Sequence, residues 1–166
     1  MRARFILPVV LTLLVQRALG MPGLPSWSAD VLVPVVWVVA LSLLRSERPW
    51  PVDALFIGLA WDVLFEPVIG PGGIAWSAAA LALNSLATVV ADRTPRAWAG
   101  FGAVAAVLIV TLHRLALLPL GFSLSLTPTE VIRTALLSGA WCGVVGLVLG
   151  LDLPKSWRTY RARRLR

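Results

Sequence analysis

Cysteine, histidine, lysine and tyrosine are almost missing from this chain; each occurs once, at Cys142, His113, Lys155 and Tyr160. One cysteine excludes a disulfide framework and a cysteine-based zinc site. One histidine leaves no H-E-x-x-H metalloprotease motif, and neither a G-x-S-x-G elbow nor a Gly-rich P-loop is present. Charge is scarce as well, at 14% of 166 residues, which excludes a soluble domain, because so little polar surface could not cover the rest. What is there instead is apolar: 58% of the residues are hydrophobic and the mean hydropathy is +0.85. The chain reads as an all-α integral membrane protein.

Six apolar segments run through it, at about 5–20, 30–44, 54–69, 74–91, 97–120 and 129–151. The breaks between them alternate in charge. "MPGLPSWSA", "PVIGPGG" and "GFSLSLTP" contain no Lys or Arg, whereas "RSERPWP", "ADRTPR" and the tail "KSWRTYRARRLR" hold most of the basic residues. By the positive-inside rule this predicts six crossings with both termini cytoplasmic. Arg17, Arg114 and Arg133 fall inside segments and stand outside the rule. The expected organisation is a six-helix transmembrane domain over 1–151 and a basic cytoplasmic tail over 152–166. The basic start and apolar run of the first twenty residues also suit a secretory signal, but Arg17 beside the small residues Ala18 and Gly20 favours a retained first helix. The net charge of +7 is gathered at the segment ends, which argues against nucleic-acid binding. In the tail it suits anionic lipid headgroups, with Trp157 and Tyr160 at the interface.

Within the apolar segments a few polar residues need partners, since an unpaired charge at mid-membrane is costly. In "GLAWDVLFEP", Asp62 and Glu66 lie four residues apart, on one helix face with Gly58. Counted from the cytoplasmic end at 1.5 Å per residue, Glu66 and Arg17 both lie about 20 Å deep, and Arg114 about 26 Å. Depth therefore pairs Glu66 with Arg17 or Arg114, and Asp62 with Asn84 or a nearby hydroxyl. An intramembrane enzyme would need Asp62, Glu66 and His113 to converge on a water-accessible pocket; a structural tie between helices is the simpler expectation. A secondary transporter would show two similar halves, and the Asp-bearing third segment has no counterpart in the second half. Small residues supply the remaining signal. Gly139 and Gly143 make one G-x-x-x-G step in the last helix, Gly146 and Gly150 another, and Ala78, Ala82 and Ser85 share a face in the fourth.

Two stretches carry a family resemblance. "LTLLVQRALGMPG" (11–23) and "GLAWDVLFEPVIGPGG" (58–73), together with six apolar segments and a cytoplasmic N-terminus, resemble the bacterial rod shape-determining protein MreD family. Gln16, Gly58, Asp62 and Gly70 match the family's pattern, while Arg17, Glu66 and "GPGG" depart from it. The resemblance implies a bundle similar to the substrate-binding subunits of energy-coupling-factor vitamin transporters. It further implies a non-enzymatic, cofactor-free scaffold of the cell-elongation machinery in the bacterial cytoplasmic membrane. Its implied partners are the bitopic protein MreC and, less directly, RodA, penicillin-binding protein 2 and MreB filaments. The likeness in fold makes a vitamin-transporter substrate-binding subunit the alternative.

Overall fold

The computed structural model of the chain describes residues 3–43, 50–89, 94–122 and 127–151. Among these are six α-helices and no β-strand: α1 (Ala3–Leu19), α2 (Val35–Leu43), α3 (Trp50–Phe65), α4 (Pro71–Val89), α5 (Pro95–Leu117) and α6 (Pro128–Leu151). Short 3-10 turns occupy Ser26–Asp30 and Leu118–Leu120. The stretches Ser26–Leu43, Pro71–Val89, Pro95–Leu120 and Pro128–Leu149 are long and apolar enough to cross a membrane. The protein is thus an all-α, multi-pass membrane protein. The 17 residues of α1 and 16 of α3 rise about 24–26 Å, short of the roughly 30 Å hydrocarbon layer. The tail 152–166 lies outside the described residues, as do Arg45, Arg48 and Arg93.

Helix starts are written in local chemistry. Thr94 caps α5 by accepting a hydrogen bond from Ala97 N–H at 3.3 Å, with Pro95 at the first helical position. At α6, Thr127 and Glu130 form a reciprocal capping box: the Thr127 hydroxyl accepts from Glu130 N–H, and the Glu130 carboxylate from Thr127 N–H, each at 3.4 Å.

α2 sits at the centre. Its Val35, Val38 and Val39 are fully buried, and it touches α3, α4, α5 and α6. Trp76 and Leu83 of α4 and Ile57 of α3 complete the core. The most extensive helix pair is α5 with α6. Its backbones run close because glycines face side chains there. A Cβ on Gly102 would stand 2.6 Å from that of Cys142, and one on Gly139 would stand 2.9 Å from the Ala99 carbonyl oxygen. Gly143 lies over Ala99, and Gly146 over Trp98. Lipid is as apolar as these helices, so close dispersion contact holds them together where a hydrophobic driving force is absent. α1 is peripheral, with Leu7 75% and Leu11 60% exposed.

The second segment departs most from expectation. A continuous helix over 30–44 is expected, yet the chain is unwound from Val31 to Pro34. Proline at 34 disfavours helix in the residue before it and has no N–H to donate. The contacts described next place the C-terminal ends of α1, α3 and α5, and the starts of α2, α4 and α6, at one end of the bundle.

Candidate functional site

Asp62 lies one turn before the end of α3 and has no exposed surface. Its carboxylate accepts hydrogen bonds from two backbone amides at the start of α4: Gly70 N–H to Oδ2 at 2.7 Å, and Gly72 N–H to Oδ1 and Oδ2 at 3.0 and 2.9 Å. The first amides of a helix have no partner within it and carry the positive end of the helix dipole, so a buried anion there is well placed. Gly70, at φ +128°, takes a conformation that favours glycine and cannot cap with a side chain; the preceding helix supplies the cap instead. The rest of the turn has no room for a side chain. A Cβ on Gly72 would overlap Asp62 Oδ1, and one on Gly58 would overlap the Gly72 carbonyl oxygen. Gly58, Asp62, Gly70 and Gly72 therefore form one unit in which two backbones meet.

A second unit surrounds the unwound Val31–Pro34 stretch. Non-helical backbone at membrane depth must be satisfied by protein. Gln16 of α1 does much of this. Its Oε1 accepts from Val33 N–H at 2.8 Å, while its Nε2 donates to the Ala29 carbonyl at 3.3 Å. From α6, the Ser138 hydroxyl accepts from Leu32 N–H at 3.0 Å, and Trp141 Nε1 donates to the Val33 carbonyl at 3.1 Å. The Ser28 hydroxyl lies within hydrogen-bond reach of the Leu19 and Pro25 carbonyls, at 2.8 and 2.7 Å. Sequence reading missed Ser138, Trp141 and Ser28. The available signal was a serine and an indole N–H within an apolar helix, opposite a proline that forces unpaired amides.

The charge pairings expected from depth do not form. Asp62 binds backbone amides, not Asn84, which is half-buried on α4. Glu66 makes no ion pair with Arg17 or Arg114 among the described residues. The Arg17 guanidinium carbon stands 6.0 Å from the centroid of the Phe65 ring, and Arg114 points outward. Depth along a helix says nothing of azimuth: at 3.6 residues per turn, His113 faces inward while the next residue, Arg114, faces out. His113 is the residue that meets the acids, with its Nε2 3.7 Å from Asp62 Oδ1 and 3.9 Å from Glu66 Oε1. The third in-segment arginine, Arg133, lies 2.7 Å through its Nε from Asp30 Oδ2. That oxygen has no well-aligned hydrogen bond, so the contact is an ion pair at a poor angle. Gly139 and Gly143, as described, pack α6 onto α5, whereas Ala82 and Ser85 of α4 are exposed.

Outside these units, an apolar groove of about 420 Å³ opens between α1 and α3, bordered by Val10, Leu14, Phe56, Ala60 and Val63. Comparison with known proteins returned no match: no family model, curated protein or solved structure is significantly similar to the chain. The class that the fold and its two polar units define is a multi-pass helical membrane protein whose intramembrane polar groups mostly serve backbone.

Proposed function

We propose that the chain is a non-enzymatic scaffold of the bacterial cell-elongation machinery, a member of the MreD family with six crossings and an energy-coupling-factor-like bundle. In this reading it sits in the cytoplasmic membrane, binds an MreC-like single-pass protein, and through it supports RodA, penicillin-binding protein 2 and MreB filaments, with the basic tail on anionic lipid. One observation carries the reading. The four residues of the resemblance all act on backbone: Gln16 and Asp62 accept from backbone amides, Gly70 donates one of these, and Gly58 lets the backbones of α3 and α4 meet. That they hold backbone together supports a structural role, as a scaffold requires. Depletion in the native host tests this: rod-shaped cells should widen and round before growth stops. Unchanged cell width with lost uptake of a vitamin would overturn it.

The transporter-subunit reading is favoured by a different observation, the meeting of Asp62, Glu66 and His113 at the end of the bundle where α3 turns into α4. Fold likeness alone does not decide between the two.

A further inference from the structure

The apolar groove between α1 and α3 has the buried Leu13 at its floor and the exposed side chains of Leu14, Phe56 and Val63 at its rim. From Phe56 to Leu64 it follows α3 for about 12 Å, close to one leaflet of a hydrocarbon layer roughly 30 Å thick. Arg17 stands at one end of it. It lies one turn beyond Leu13 and Leu14 on the same face of α1, in the last turn of that helix. Its guanidinium carbon is 6.0 Å from the ring centroid of Phe65, the residue after Leu64 on α3. Arg17 is exposed and makes no ion pair among the described residues; Glu66, next to Phe65, stands instead by His113 of α5. We propose that this groove holds one acyl chain of a phospholipid, whose phosphate is bound by Arg17.

Two arguments select this occupant. The first is charge and order. A phospholipid carries its phosphate directly above its chains, and here a free cation stands directly past the end of an apolar groove one leaflet long. The guanidinium fork matches phosphate oxygens, and the stem of an arginine packs on apolar neighbours while its charge stays at headgroup level. The second is the lining, which is the wrong kind for a helix. Helices associate in lipid through small residues that bring backbones close, and Ala60 alone among the residues of the groove is small. The glycines of α6 at 139, 143 and 146 are already used against α5. A helix about 10 Å across would also fill about 900 Å³ over that length, twice the 420 Å³ of the groove. The lipid site does not rest on the scaffold reading and stands or falls by itself.

The test is native mass spectrometry of the full chain released from detergent micelles, after titration with dioleoyl-phosphatidylglycerol or with diolein, which has the same chains and no phosphate. One phospholipid retained per chain, held at least tenfold more tightly than diolein, is expected. Arg17→Gln should weaken its retention at least tenfold, and Arg17→Lys, which keeps the charge, should weaken it less. Arg17 is exposed, so both variants should unfold in SDS as the wild type does. Ala60→Phe places a ring in the groove and should weaken retention of both lipids. Diolein held as tightly as the phospholipid, equal loss in the Gln and Lys variants, or unchanged retention in Arg17→Gln or Ala60→Phe would overturn the proposal. So would a dimer in the same spectra that Ala60→Phe disperses, because a second copy of the chain would then be the occupant.

Discussion

Replacing Asp62 tests the α3–α4 unit at its centre. In Asp62→Leu the branched shape of the side chain is kept, while the Gly70 and Gly72 amides lose their acceptor. Each buried donor left without a partner costs about 1–3 kcal/mol, so the loss should be about 2–6 kcal/mol. Asp62→Asn keeps a carbonyl oxygen that, in the place of Oδ2, can accept from both amides, but it loses the charge that strengthens those bonds and should lose about 1–3 kcal/mol. SDS-titrated unfolding, followed by tryptophan fluorescence, provides the measurement. Trp61 and Trp76, with ring centroids 5.8 Å apart beside the turn, supply a local signal. The expected order is wild type, then Asn, then Leu. A Leu variant as stable as the wild type, or as stable as the Asn variant, would refute the capping role.

Other consequences follow from the same geometry. Gly58→Ala should abolish folding or cost well above the usual 1–3 kcal/mol of overpacking, because the clash is with backbone, whereas Gly100→Ala meets open space and should be neutral; unfolding of both in detergent checks this. Ser138→Ala orphans Leu32 N–H and should lose about 1–3 kcal/mol, and hydrogen exchange should quicken at Leu32 while leaving the α4 turn unchanged. Arg133→Ala, at a side chain 48% exposed, should shift stability by no more than about 1 kcal/mol in the same unfolding assay.

Much of this architecture was legible because membrane insertion writes itself in long apolar runs and proline- or glycine-bearing breaks. The segment containing α5 was read nearly to its ends, at 97–120 against Pro95–Leu117, because the charged, proline-bearing break "ADRTPR" interrupts the apolar run before it. The unwinding at Val31–Pro34 was hidden by hydropathy, which does not register whether valines lie on a helix or off it. Asp62 and Gly58 stood out as a carboxylate and a small residue on one face of an apolar segment, and Gln16 through the family resemblance, but their partners did not. Asp62 binds amides of Gly70 and Gly72, and backbone groups are present at every position, so nothing in the side-chain pattern marks them. His113 was noticed without its place, because its facing depends on the azimuth of α5 against α3.

The scaffold reading is tested most directly by purifying the tagged full chain from its native membranes in gentle detergent and identifying the co-purifying proteins by mass spectrometry. The account predicts a single-pass periplasmic coiled-coil protein together with cell-wall synthases, in wild type and in Glu66→Gln alike, and their loss in Asp62→Leu. Recovery of paired ATPases with a transmembrane coupling protein would contradict it.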